Sequence, residues 1–314
     1  FPADHNLFVG MIGMHGTYAA GKAASESDLI IALGARFSDR VAGNRKLFAP
    51  KAQILHIDID ATEIDKIIKS TRYIVADLRE TLHAINERLP ECNHKQWENQ
   101  IKQWKEHVPS YAEDDLTTLN PKFILDTLKS HASPDTIIVT DVGQHQMWTA
   151  QYYPFTRPRT FLTSGGLGTM GYGMGAAVGA KAANPHKKVV LITGDGSFHM
   201  NCMEMLTAAN NNLPITIILM NNQVLGMVRQ WQKLFYSCRF SQTSPGRCTD
   251  FPALARSLGA EGVTVDNRSD YEKALEAALD SQNVSLIECM ISPDANVLPM
   301  IPPGNAVDEI ITNM

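Results

Sequence analysis

No stretch of this 314-residue chain offers the roughly 20 consecutive apolar residues that a membrane-spanning helix needs, so no membrane partner is expected. Basic clusters interleaved with aromatics are missing too. With a net charge of −5 the chain has nothing to attract a polyanion, and no nucleic-acid partner is expected. No low-complexity tract and no internal repeat is visible, which excludes linker-like and solenoid designs. Aromatics make up only 7% and charged residues 19%, yet 44% of the chain is hydrophobic, enough apolar material to build the cores of about two domains.

Cysteine is scarce. Five stand singly at Cys92, Cys202, Cys238, Cys248 and Cys289. An odd count without CxxC or CxH spacing argues against a disulfide framework and against a zinc site. The expectation is reduced, buried thiols, as in a cytosolic protein. Position 1 is Phe, and no signal-peptide pattern follows it. The chain therefore reads as a piece of something longer. Its expected compartment is the cytoplasm, or an organelle if the source is a plant or fungus.

What is present is an alternation of short apolar runs and helix-like segments, the mark of an α/β fold with parallel sheets. LIIAL (29–33), AQILHIDID (52–60) and RYIVAD (72–77) read as strands. Asp60 and Glu63 have capping-box spacing, which predicts a short helix over EIDKIIKS. TLHAINERLP (81–90) predicts a helix stopped at Pro90. Trp97 and Trp104 are seven apart, two helical turns, so both can dock on one face of a linker helix. Further on, FILDTLKSH (123–131) reads as a helix and TIIVTDVG (136–143) as a strand ending in a glycine turn. GGLGTMGYGMGAAVGAKAAN (165–184) reads as a glycine-rich loop running into a small-residue helix. DFPALARSLGA (250–260) is helical in pattern, GVTV (262–265) and VSLIECMI (284–291) are strands, and Ser269–Glu272 predicts a second capping box. The tail ends in a short helical pattern after a proline-rich stretch.

The chemistry concentrates between VVLIT (189–193) and ITIILM (215–220). The first run leads into Gly194-Asp195-Gly196-Ser197 and the second into Asn221-Asn222, with helical composition over 200–211 between them. Asp195 and Asn222, 27 positions apart, then emerge at the carboxyl ends of two parallel strands, where open α/β sheets place ligands. A carboxylate and an amide oxygen make a hard-oxygen set suited to Mg²⁺. The glycines allow a diphosphate to approach, and Ser197 opens a helix whose amides can face that anion.

GDG followed at this distance by NN is the motif of thiamine-diphosphate enzymes. The stretches MIGMHGTYAA, DLIIALGARFSDRVAGN, DVGQHQMW, TSGGLGTMGYG, GDGSFHMN, GMVRQWQKLFY and NVLPMIPPG extend the match. Together the chain resembles the large catalytic subunits of the acetohydroxyacid synthase (acetolactate synthase) family. That resemblance implies two doubly wound parallel-sheet domains. Residues 1–92 would be a partial central FAD-binding domain, 93–118 a linker helix, and 119–314 the complete thiamine-diphosphate/Mg-binding domain.

The resemblance also implies roles. Asp195 and Asn222 would hold Mg²⁺ by their side chains and Val224 by its carbonyl. Val142, Gly143, Gln144, His145, Gly196 and Ser197 would surround the diphosphate of thiamine diphosphate. Gly168 and Met170 would contact its pyrimidine, with Met170 wedged between the rings. Met227 and Trp231, four apart on one helical face, would border the substrate. FAD would be met by Met14, His15, Gly16, Gly34, Arg36, Asp39, Arg40, Asp58, Ile59 and Asp77. Glu204 is read as structural, and Gly175 stands where the family usually has Pro.

The activity implied is decarboxylation of pyruvate on thiamine diphosphate and ligation of the two-carbon unit to a second 2-keto acid, in branched-chain amino-acid synthesis. A homodimer or homotetramer is implied, with a possible regulatory small subunit. No catalytic residue is assigned, because the family's activating glutamate belongs to an N-terminal pyrimidine domain outside this sequence; the chain alone is expected to be inactive. Two other readings stay open: another thiamine-diphosphate enzyme (glyoxylate carboligase, pyruvate oxidase or a 2-keto acid decarboxylase), or a non-catalytic cofactor-binding module.

Overall fold

The computed structural model describes residues 1–106, 118–246 and 248–313. Contacts divide the chain into two compact units, one made of 1–8 with 114–297 and the other of 9–113 with 298–314. The tail after Val297 thus joins the unit formed by the first third of the chain, not the stretch 119–297, and the helix at 95–106 belongs to that unit as well.

The smaller unit contains α1 (Tyr18–Glu26), β1 (Leu29–Leu33), α2 (Asp39–Ala42), β2 (Gln53–Asp58), β3 (Arg72–Val75), α3 (Leu78–Asn86) and α4 (Lys95–Glu106). Its three strands form a parallel sheet in the order β1-β2-β3. Ala32, Ile54, Phe37 and Phe48 lie in its core, which Ile301 and Val307 of the tail complete. Trp97 and Trp104 do share one face of α4, their rings edge to face at 5.6 Å. α4 packs on α1; the rest of the expected linker, 107–117, lies outside the described residues.

The larger unit contains α5 (Pro121–His131), β4 (Ile137–Thr140), α6 (Gln144–Tyr152), β5 (Phe161–Leu162), α7 (Tyr172–Ala183), β6 (Val189–Gly194), α8 (Asp195–Phe198), α9 (Glu204–Asn210), β7 (Thr216–Asn221), α10 (Gly226–Phe235), α11 (Phe251–Ser257), β8 (Glu261–Val265), α12 (Arg268–Asp280) and β9 (Ser285–Met290). Six parallel strands run in the order β5-β4-β6-β7-β9-β8. Both faces are covered, as continuous apolar strands require. Val139, Leu191, Ile217 and Leu286 point to one side, with α7, α9 and α11. Ile138, Ile192, Ile218 and Ile287 point to the other, with α5, α6 and α12.

Several local expectations are corrected. EIDKIIKS is a set of turns, not a helix. Asp60 caps locally, accepting from the Thr62 amide and hydroxyl. Asp65 takes a left-handed φ of 60° and accepts from Ser70, which ends any helical run there. The cap of α12 is Asn267, whose side chain accepts from the Asp270 amide, in place of Ser269. Residues 200–203 are turns, and the helix begins only at Glu204. The tail forms no helix; it is held by an antiparallel bridge between Met300 and Ile311. Cys202 and Cys289 are buried, but Cys92, Cys238 and Cys248 are exposed, because they sit in loops that no core covers.

Candidate functional site

The strand order creates the site. From β4 the chain moves to the sheet edge at β5, then returns past β4 to β6. The loop after β4 feeds α6, whose Trp148 packs on one face of the sheet. The loop after β6 feeds α8 and α9, whose Phe198 and Met205 pack on the other. Adjacent strands whose chains leave in opposite directions open a crevice at their carboxyl ends. A cavity of ≈ 160 Å³ lies there, lined among others by Gly143, His145, Met170, Asp195, Asn222 and Met227.

The six-stranded unit brings the expected thiamine-side residues together. Val142, Gly143, Gln144, His145, Met170, Gly196, Ser197 and Met227 line this one cavity with Asp195, Asn222 and Val224. Gly168 lies beside it, its α-carbon in the left-handed region (φ 65°) near Val142. Trp231 does not line the cavity; its ring packs edge to face on Phe235 at 5.5 Å.

Asp195 is buried, one residue past the last β6–β7 register pair, Gly194 with Met220. It begins the single-turn α8, so Ser197 lies inside that turn and does not open it. The Ser197 hydroxyl donates back to the Gly194 carbonyl at 3.3 Å. His199 donates to the Asp195 carbonyl at 2.6 Å. Asn222 is buried, its Nδ2 donating to Gln144 Oε1 (3.1 Å) and its Oδ1 accepting from the Val224 amide (3.2 Å). A carboxylate, an amide oxygen and a backbone carbonyl are all hard donors, which suits Mg²⁺ better than a thiophilic ion. Among the described residues no cluster of three His, Cys, Asp or Glu side chains is placed to hold a metal.

His145 lies under the two glycine turns. A Cβ on Gly194 would meet its Nδ1 at 2.8 Å, and one on Gly143 its Cε1 at 2.8 Å. Burial pushes its pKa down to about 3, so the ring is neutral. Its Nε2 is buried without a protein partner among the described residues. With Nδ1 donating to the Asp141 carbonyl, the neutral ring leaves Nε2 as an acceptor, which suits a donor group and not an anionic oxygen.

Two domain patterns match the chain. "Thiamine pyrophosphate enzyme, central domain" covers residues 1–85, and "Thiamine pyrophosphate enzyme, C-terminal TPP binding domain" covers 141–289. The chain belongs to the thiamine pyrophosphate enzymes. It is 42% identical to acetolactate synthase isozyme 2 large subunit of Escherichia coli K12 over 99% of this chain and 56% of that protein. The acetolactate synthase large subunit of Corynebacterium glutamicum is 43% identical over 99% of this chain and 51% of its own length. A probable acetolactate synthase large subunit of Methanocaldococcus jannaschii is 42% identical over 99% and 54%. The chain spans about half the length of the curated relatives it matches.

In the part that matches the central domain, four of the residues expected to meet FAD, Gly34, Asp58, Ile59 and Asp77, lie at the carboxyl ends of β1, β2 and β3. Gly34 follows β1 with φ 60°, buried Asp58 ends β2 opposite Val75, and exposed Ile59 follows it. The Met14–Gly16 loop is tied to the start of α2, because the Met14 amide donates to the Arg40 carbonyl at 2.7 Å. The Arg40 guanidinium reaches Met14 Sδ at 3.5 Å. Burial and the neighbouring Arg40 lower the His15 pKa to about 4. Exposed Arg36 and Arg40 can meet phosphate. Two expected contacts already have local work. Asp39 accepts from the Arg40 amide, and Asp77 caps α3 by accepting from Arg79 and Glu80.

Sequence reasoning missed Asp141. Its carboxylate accepts from the amides of Val142, Gly171 and Gly173, tying the loop after β4 to the start of α7 and so holding the Met170 segment. The one available signal was an acidic residue at a buried strand end beside a glycine turn. Glu204 stays local, accepting from Thr207.

Proposed function

We propose that this chain carries the diphosphate-binding half of an acetolactate synthase, which decarboxylates pyruvate and ligates the two-carbon unit to a second 2-keto acid. The observation that carries the proposal is the single cavity shared by Asp195, Asn222, His145 and Met170, in a chain similar to acetolactate synthase large subunits along its whole length. Asp195, Asn222 and the Val224 carbonyl would hold Mg²⁺ between the phosphates. Gly143, Gly196 and Ser197 would enclose those phosphates, and Gly168 and Met170 would meet the pyrimidine. Bound thiamine diphosphate supplies the electron sink for decarboxylation. The apolar wall of Met170 and Met227 keeps water from the reacting carbon, and Trp231 on α10 borders the approach of the second keto acid. In the three-stranded unit, the residues at the strand ends would seat FAD. A cytoplasmic or organellar homodimer or homotetramer, with a regulatory small subunit, completes the reading.

The test is product analysis of the whole protein on pyruvate with Mg²⁺ and thiamine diphosphate. Acetolactate is expected; its absence sinks the carboligase reading. Asp195→Ala is expected to raise the thiamine diphosphate needed for half-saturation by at least about 100-fold. The 314 residues expressed by themselves are expected to make no acetolactate, since the resemblance places the activating glutamate outside them.

A further inference from the structure

We propose that Gln230 is a positioning residue for the cation site: through Gln144 it fixes which end of the Asn222 amide faces the diphosphate. This rests on the cation-site reading above.

The two ends of an asparagine amide have the same shape, so packing alone does not choose between oxygen and nitrogen. Only oxygen can ligate Mg²⁺. The choice here is made by backbone groups, which cannot exchange roles. The Val297 amide donates to Gln230 Oε1 at 2.8 Å, and the Val297 carbonyl accepts from Gln230 Nε2 at 3.0 Å. With both of its ends set, Gln230 presents Oε1 to Gln144 Nε2 at 3.0 Å. The Ala295 carbonyl accepts from that same nitrogen at 3.0 Å. Gln144 therefore turns Oε1 toward Asn222, which must answer with Nδ2, at 3.1 Å. Asn222 Oδ1 is left on the other side, where it accepts from the Val224 amide at 3.2 Å, a bond that favours the same orientation.

Burial makes this relay binding. Gln230, Gln144 and Asn222 are 1%, 5% and 7% exposed, so bulk water offers no alternative partners. Gly226 leaves room for it: a Cβ there would lie 2.8 Å from Asn222 Nδ2 and closer still to Gln144 Oε1.

The experiment uses the whole protein with thiamine diphosphate and Mn²⁺ as the probe, reading free Mn²⁺ by electron paramagnetic resonance. Gln230→Leu is expected to weaken Mn²⁺ binding about tenfold or more. In an Asn222→Asp background, Gln230→Leu is expected to cost less than about twofold, because a carboxylate presents oxygen at either end. A merely structural role would cost the same in both backgrounds. Equal losses, or no loss, overturn the proposal. If Gln230→Leu does not fold, Gln144→Leu cuts the same link and is read the same way. Asp195→Ala is the control: Mn²⁺ binding unchanged by it would overturn the cation-site reading itself, whereas loss with Asp195→Ala alone overturns only the relay.

Discussion

At the scale of single residues, His145 links burial to pH. The folded ring stays neutral down to about 3, whereas the unfolded ring takes a proton below 6.5. Between those values the unfolded chain binds more protons, so stability is complete above pH 6.5 and falls as the pH drops through the window. One pKa unit corresponds to about 1.4 kcal/mol, so His145 removes about 2 kcal/mol between pH 7 and 5. His15, lowered to about 4, acts with the same sign in the other unit. His145→Gln, which cannot titrate, is expected to flatten the pH dependence of urea unfolding of the six-stranded unit by about that amount. An unchanged slope would show that the ring is hydrated in solution. Asp141 makes the contrasting case: burial raises its pKa although three amides hold its carboxylate.

At the scale of elements, α7 shows what its small residues are for. A Cβ on Gly173 would meet Leu191 at 2.7 Å and Asp141 at 3.0 Å, so the helix lies against β4 and β6 with no space to spare. Gly173→Ala is expected to destabilise by about 1–3 kcal/mol through overpacking. Gly179, on the same helix, has nothing within 4 Å of such a Cβ. Gly179→Ala is expected to stabilise by about 0.5–1 kcal/mol, by lowering the entropy of the unfolded chain. Urea denaturation of the two variants reads both signs. Gly175, where the family usually has Pro, resembles Gly179: its nearest neighbour is Asn201 at 3.8 Å, ordinary contact.

At the scale of the molecule, the two sheets differ in cover. The six-stranded sheet is buried on both faces except at its edge strand β8, where Val263 is exposed. On the three-stranded sheet, Leu29, Ile31 and Leu33 of β1 and Tyr73 and Val75 of β3 are exposed, while Ile30, Ala32 and Ile54 pack into the core. Parallel sheets ordinarily bury both faces. The 314-residue chain is therefore expected to bind a hydrophobic dye such as anilinonaphthalene sulfonate. Ile31→Thr with Leu33→Thr is expected to reduce that binding without lowering the melting temperature. A lower melting temperature would mean that these side chains are packed in solution.

The residue pattern carries the α/β class, most of the strands and the glycine turns that follow them. Those are local properties: an apolar run of strand length, a glycine turn after it, an oxygen-bearing side chain at its end. It also placed Trp97 and Trp104 on one face, because seven residues make two helical turns. Where two local signals competed it misled, as at Asp60–Ser70, where side chains satisfied the backbone better than a helix could. Which distant groups meet depends on the folded arrangement. The contact of Gln144 with Asn222, Gln230 and the Ala295 carbonyl spans 78, 86 and 151 positions, and no periodicity encodes that. The same holds for the burial of His145 and for the amides gathered on Asp141. Strand order sets these, because order alone decides which loops converge at the crevice, and with them which end of the Asn222 amide is turned toward the site.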